Sequence, residues 1–170
     1  MTNAISAIIA VAGTLLGSTL TYFFQRRTSE QAEVSAFQRE LRAERMSTYS
    51  SYSTAITEFR RGQQALYNLR KEHPDNAMTL TARVEAYRLS GVVQTALSKV
   101  QLVAIDPALI TAADEAYELT RPLHDAQDSA EVDTRSDKAK EAVDRFVALA
   151  AAELQSAPIP GRSRRDATVD

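Results

Sequence analysis

Residues 49–66 read YSSYSTAITEFRRGQQAL, and their apolar side chains recur at a spacing that decides the fold. Side chains three, four or seven residues apart share one face of an α-helix. The apolar set at this spacing is Tyr49, Tyr52, Ile56, Phe59 and Leu66. The surrounding segment 29–72 has no proline and a single glycine, Gly62. The pattern predicts a helix whose aromatic face belongs to a core, in preference to an exposed stripe that binds a partner.

Two proline-containing segments predict where helices end and begin. The stretch EHPDN, residues 72–76, predicts a turn, because Pro74 disfavours helix at the residue before it and Asn76 or Asp75 can cap a following helix. The stretch AIDPALI, residues 104–110, predicts a new helix with Asp106 as the N-cap and Pro107 in the first turn. This helix is expected to break near Pro122.

The segment 78–105 carries apolar residues on two helical stripes, which predicts neighbours on two sides. One stripe holds Leu80, Val84 and Tyr87, and the other holds Leu89, Val93, Ala96, Val100 and Val103.

After the polar stretch 127–137, a last helix is expected to bury one apolar face. That face carries Ala139, Val143, Phe146, Ala150 and Leu154, and the exposed side carries the four-apart ion pairs Lys140–Asp144 and Glu141–Arg145. Long period-two alternation is missing from the sequence, so we expect an all-α protein with an antiparallel bundle of four helices.

The N-terminal segment 4–24 contains twenty-one residues without a charged side chain and is followed by Arg26 and Arg27. As a helix it would reach about 31 Å, close to the hydrocarbon thickness of a bilayer. The flanks argue against a cleaved signal, since no Lys or Arg precedes the segment, and the lack of a polar face argues against a buried core helix. We therefore predict a single transmembrane helix. The two arginines on its C-terminal side predict an outer N-terminus and a cytoplasmic C-terminal domain.

Within this segment, Gly13 and Gly17 form a GxxxG pattern, which allows two membrane helices to pack closely. The alternative is that small residues are simply common in membrane helices. The predicted organisation is an anchor with a basic flank at residues 1–27, a cytoplasmic helical bundle at residues 28–156 and a disordered tail at residues 157–170.

Charge is distributed unevenly along the chain. Residues 25–72 hold nine Lys or Arg against six acids, and residues 73–170 hold eleven against sixteen, which together give the net charge of -2. The positive excess lies beside the predicted anchor, so direct nucleic-acid binding is not expected.

Chemistry-bearing motifs are missing from the sequence. The absence of cysteine excludes disulfides and thiolate chemistry, and P-loop, GxSxG, HExxH and ExxH patterns are all missing. His73 is expected to be solvated in its turn, and His124 with Asp128 is expected to form no more than a surface hydrogen bond. We therefore expect no enzyme activity, no cofactor and no metal.

The chain resembles small actinobacterial membrane proteins called KilB-like, after a plasmid-spread protein. The resemblance covers most of residues 1–120. It lies in the uncharged span with internal glycines, the flank QRR, the stretch RAERMSTYSSYSTAITEFRR and the later KVQLVAIDPALI. It implies a membrane location and a role in conjugal spread of plasmid DNA between mycelial compartments, through assembly with other membrane proteins, and it supplies no functional residues.

Two functions remain open from the sequence. The first is a non-enzymatic single-pass membrane protein whose bundle mediates association, with itself or with other membrane proteins. The alternative is a membrane-tethered sensory or small-ligand-binding module. An exposed apolar patch would favour the first function, and a cavity with converging polar groups would favour the second.

Overall fold

The computed structural model describes the backbone of residues 2–156 and the side chains of residue 34 and residues 36–156. Across these residues the chain forms four α-helices and one short 3₁₀ helix, without a strand. The α-helices are α1 (Thr2–Glu72), α2 (Ala77–Val103), α3 (Pro107–Thr120) and α4 (Ser129–Ser156), and the 3₁₀ helix spans Leu123–Asp125. The predicted all-α fold is confirmed.

The chain divides into two compact units, and the bundle lies in the unit Arg42–Ile159. Among the residues whose side chains are described, no helix carries an apolar stretch long enough to cross a membrane. The predicted span, residues 4–24, and the predicted tail, residues 157–170, lie outside the residues so described. The proposed domain boundaries stay predictions.

Side-chain contacts define the direction of each helix in the bundle. Near the start of this unit, Arg45 Nε donates to the carbonyl of Val103 at 3.0 Å, which pairs α1 with the end of α2. At the other end of α1, Lys71 Nζ donates to Ser129 Oγ at the start of α4, at 2.9 Å. Helices α2 and α4 therefore run antiparallel to α1, and short connections make α3 antiparallel to both.

The aromatic face of α1 forms the centre of the core, as its spacing predicted. Tyr52, Ile56 and Phe59 have no exposed surface. The ring of Tyr52 packs edge-on against that of Phe146 from α4, with centroids 4.7 Å apart. The Tyr52 hydroxyl donates to the carbonyl of Ala113 in α3 at 2.5 Å, so this face of α1 joins three helices. Burial raises the pKa of the Tyr52 hydroxyl far above its ordinary range, with a smaller contribution from the nearby Asp114 carboxylate.

Both predicted helix starts are confirmed by their caps. Asn76 Oδ1 accepts from the amide of Met78 at 3.1 Å, and Asp106 Oδ1 accepts from the amide of Ala108 at 2.9 Å. Each side chain satisfies one of the backbone donors that a helix leaves free in its first turn. The predicted break at Pro122 is also present, between the end of α3 and the 3₁₀ helix.

The expectation that residues 127–137 precede the last helix is wrong, because α4 already begins at Ser129. Asp128 Oδ1 accepts from the amide of Glu131 at 2.8 Å, and Glu131 Oε2 accepts from the amide of Gln127 at 2.7 Å. These reciprocal bonds resemble a capping box and start the helix within the polar stretch. The bond from Gln127, followed by the bond from Arg135, lowers the pKa of the Glu131 carboxyl.

One of the two predicted ion pairs on α4 is wrong. Lys140 and Asp144 do pair, at 2.8 Å. Arg145, however, extends to Glu115 on α3, at 2.6 Å, instead of to Glu141 on its own helix. Arg145 thus pairs with a carboxylate on the neighbouring helix, which a pattern within one helix cannot show.

Candidate functional site

The site residues predicted from the N-terminal segment cannot be placed in a site. Gly13, Gly17, Arg26 and Arg27 belong to the helical backbone of α1, but their side chains lie outside the described residues. Helix association and the membrane flank therefore stay predictions.

A cavity of about 400 Å³ opens among the helices of the bundle unit. It lies toward the end of the bundle where α1 ends, α2 begins and α3 gives way to the 3₁₀ helix. Its walls combine apolar side chains with polar ones that converge on the same space. The residues lining it are Phe59, Gln63, Leu66, Arg70, Arg83, Ala86, Tyr87, Ser90, Arg121 and His124.

Three arginines from three parts of the fold meet at this cavity. Arg70 Nη1 donates to the carbonyl of His124 at 3.0 Å and to Asp125 Oδ1 at 3.2 Å. Arg121 pairs with Glu118 at 2.9 Å. Arg83 has no hydrogen bond or ion pair within the described part of the chain. Since a guanidinium has five N–H donors, all three side chains keep donors for a further acceptor.

Gln63 supplies a buried amide to the cavity wall. Its side chain is only 4% exposed, and its Oε1 atom is buried without a hydrogen-bond partner among the described residues. Buried polar groups are normally paired, because leaving one unpaired costs about 1–3 kcal/mol. An unpaired amide at a cavity wall therefore points to a missing partner.

The apolar wall of the cavity is held rigidly. Phe59 is fully buried and stacks on Tyr117, with ring centroids 5.9 Å apart and an interplanar angle of 19°. The Tyr117 hydroxyl in turn accepts from Gln94 Nε2 at 2.8 Å and lies 3.1 Å from Ser90 Oγ. The wall is therefore fixed by packing and by hydrogen bonds from α2.

His124 lies at the cavity edge with a partner other than the predicted one. Its Nε2 is 3.3 Å from Asp125 Oδ1, whereas Asp128, the expected partner, caps α4. The Nδ1 atom is buried without a partner among the described residues. The predicted His124–Asp128 contact is wrong because the 3₁₀ helix turns the histidine toward its neighbour.

A second surface feature lies on the outer face of α2. Leu80, Val84 and Tyr87 are 57%, 69% and 74% exposed. At about 100° per residue they lie opposite the buried stripe that contains Val93 and Val100. The prediction that both stripes of this helix have neighbours within the fold is therefore wrong, because only the second stripe faces the bundle. We call the three exposed residues the α2 apolar stripe.

No group of three or more His, Asp or Glu side chains in the described range is placed to hold a metal ion. The residues at the cavity carry no motif that sequence reasoning could have used. Gln63 and Arg70 lie on α1, Arg83 lies on α2 and Arg121 follows the end of α3. Only the folded arrangement brings them together.

The fold and its surfaces define a small, all-helical bundle protein without a recognisable catalytic motif. A family model for the KilB plasmid transfer protein matches residues 46–154. The match covers 109 of the 170 residues, and the chain belongs to this family. The resemblance noted in the sequence is thus confirmed. Comparisons with curated proteins and with solved structures gave no match.

Proposed function

We propose that this chain is a non-enzymatic, single-pass membrane protein that acts in plasmid transfer by associating with a second copy of itself through the α2 apolar stripe. In this account the segment 4–24 is the anchor, the N-terminus is outside and the bundle is cytoplasmic. The uncharged segment followed by Arg26 and Arg27 supports the anchor and its orientation. Membership of the plasmid-transfer family supports the process.

The observation that carries the proposal is the exposure of the α2 apolar stripe. Single exposed apolar residues are ordinary on protein surfaces. Here Leu80, Val84 and Tyr87 stand three and four residues apart, all more than half exposed, on a helix whose opposite face is fully packed. A helix that is apolar on two faces buries both when a second helix covers the outer one.

The second copy is the partner that the sequence best supports. The Gly13 and Gly17 pattern would bring two anchors together in the bilayer. Two bundles tethered in this way meet at a high effective concentration, so even a small apolar contact becomes sufficient for association. Other membrane proteins are the alternative occupants of the stripe.

The test is the double substitution Leu80→Ser with Val84→Ser in the full-length chain. Neither side chain belongs to the buried core, so the bundle should fold and remain in the carbonate-resistant membrane fraction. We expect the variant to show weaker self-association, measured by the size of the solubilised protein, and to lose plasmid spread in a mating assay.

The matched control is Val92→Ser, which removes an exposed valine from the same helix. Residue 92 lies roughly 80° around α2 from Val84, off the stripe. Normal plasmid spread by the double variant, at wild-type protein level, would reject the stripe as the functional surface. Recovery of the wild-type chain in the soluble fraction would reject the anchor.

A further inference from the structure

The cavity near the end of α1 has an electrostatic character that association through α2 does not explain. Three of its lining residues are arginines, and none of the residues lining it in the described structure is acidic. Asp125 and Glu118 offset Arg70 and Arg121 from outside the lining, whereas Arg83 has no described partner. The space is therefore positively charged and offers donors for an anion.

Gln63 adds an independent observation that a ligand belongs in this space. Its side chain is 96% buried, since 4% is exposed, and its amide oxygen has no described partner. A leucine or methionine of similar size would suit a purely structural position better, because it would leave no polar atom unpaired. A ligand that hydrogen-bonds the amide removes this cost.

The rest of the wall sets the form of the ligand. The apolar lining comes from Ala86 and the exposed Tyr87 ring of α2 and from Leu66 of α1, with the buried Phe59 behind them. A volume of about 400 Å³ lies in the range that holds a small organic molecule. Inorganic phosphate alone would leave the apolar part of this space unfilled.

We infer that this cavity binds a small organic anion, with a phosphate or carboxylate group held by Arg83 together with Arg70 and Arg121, and an apolar body against Tyr87, Ala86 and Leu66. The Gln63 amide bonds a polar atom of the same ligand. The site makes the chain responsive to a small molecule, in addition to its association with a partner. It does not rest on association through the α2 apolar stripe, since the stripe and the cavity share only Tyr87, and Leu80 and Val84 do not line the cavity.

The test is a calorimetric titration of the full-length chain, held in nanodiscs of zwitterionic lipid, with 1-naphthyl phosphate. The neutral 1-naphthol and inorganic phosphate are titrated in parallel, because each has only half of the required chemistry. We expect saturable binding of the naphthyl phosphate and at least tenfold weaker binding of the other two.

Two substitutions assign the site. Arg83→Gln removes an exposed cation without a described partner and should weaken binding about tenfold or more, as expected for a charge-assisted hydrogen bond. Arg61→Gln is the matched control, since Arg61 is also exposed but does not line the cavity. Gln63→Leu should weaken binding while raising the melting temperature of the ligand-free protein. A structural role for the amide predicts the opposite change in melting temperature.

The source of the anion is distinguished by a further arm with dihexanoyl phosphatidic acid, which presents the phosphate as a lipid headgroup. Tighter binding of naphthyl phosphate assigns a soluble ligand, and tighter binding of the lipid assigns a headgroup. The inference is overturned if wild type and Arg83→Gln bind naphthyl phosphate with equal affinity, or if the neutral naphthol binds as tightly as naphthyl phosphate. It is also overturned if neither naphthyl phosphate nor the phosphatidic acid binds. Because the readout is ligand binding, a failure of this inference and a failure of the self-association proposal are distinguishable.

Discussion

Gly62 and Gly91 both lie inside helices, yet their surroundings differ. A Cβ atom built on Gly62 would come within 2.7 Å of Leu89 Cδ1, whereas one on Gly91 would meet nothing within 4 Å among the described atoms. Glycine thus lets α1 approach α2 closely at residue 62. At residue 91 the bundle has no such requirement, and glycine only weakens the helix.

This difference predicts different outcomes for the same substitution at the two glycines. Gly91→Ala should raise the free energy of unfolding by about 0.5–1 kcal/mol, because alanine is the better helix former. Gly62→Ala should give no such gain, since Leu89 is buried and must shift to admit the methyl group. Urea unfolding of residues 28–156, followed by circular dichroism, measures both. A larger gain at residue 62 than at residue 91 would contradict the described helix contact.

At this scale the sequence predicted the core better than the site. Tyr52 and Phe59 could be assigned to the core because helical spacing alone places them on one face. Gln63 and Arg83 could not be assigned to a cavity, because both are ordinary residues for a solvated helix surface. Their meaning depends on which helix lies opposite, and that is a property of the assembled bundle.

Among the elements, the connection between α2 and α3 is held by a single carboxylate. Glu153 of α4 accepts at Oε2 from the amides of Ile105 and Asp106, at 3.2 and 3.0 Å, and at Oε1 from the Tyr49 hydroxyl of α1, at 2.7 Å. A carboxylate also suits the N-terminus of α3, where the helix dipole is positive. Burial, followed by the bond to Glu153, raises the pKa of the Tyr49 hydroxyl.

Removing this carboxylate should therefore lower the free energy of unfolding more than an ordinary surface substitution does. Glu153→Ala leaves two backbone amides and a buried hydroxyl without their acceptor, and we expect a loss of about 1–3 kcal/mol in the free energy of unfolding. Glu141→Ala, on the exposed side of the same helix, is the control and should change it by less than about 0.5 kcal/mol. Equal effects in chemical denaturation would show that Glu153 is not a structural link.

Helix boundaries were predictable where a local signal sets them. Asp106 with Pro107, and Asn76 after Pro74, act through neighbours in sequence, so both starts were predicted. The start of α4 is equally local, since Asp128 and Glu131 have the spacing of a capping box, but the polar composition of the stretch hid it. The exposure of the α2 apolar stripe, in contrast, is not set by a local signal. The sequence of α2 shows that the face is apolar, and only the fold shows that no other helix of the described chain covers it.

For the whole molecule, the proposals assign separate roles to three features, two of which share one residue. The uncharged N-terminal segment would fix the protein in the bilayer, the α2 apolar stripe would join two copies, and the arginine-lined cavity would take up an organic anion. The stripe and the cavity share Tyr87, which is exposed on α2 and also lines the cavity. A ligand that repositions this ring would affect both sites.

The central claim is that two copies meet through the α2 apolar stripe in the membrane, and the lack of cysteine in the natural chain allows a direct measurement. Single cysteines replace Leu80 or Val84 in the full-length protein, and Lys99→Cys, exposed nearer the other end of α2, is the control. Membranes are treated with a mild oxidant and analysed without reductant. We expect a covalent dimer of twice 18.7 kDa from the stripe positions and little from the control. A dimer yield at residues 80 and 84 no higher than at residue 99 would contradict the account.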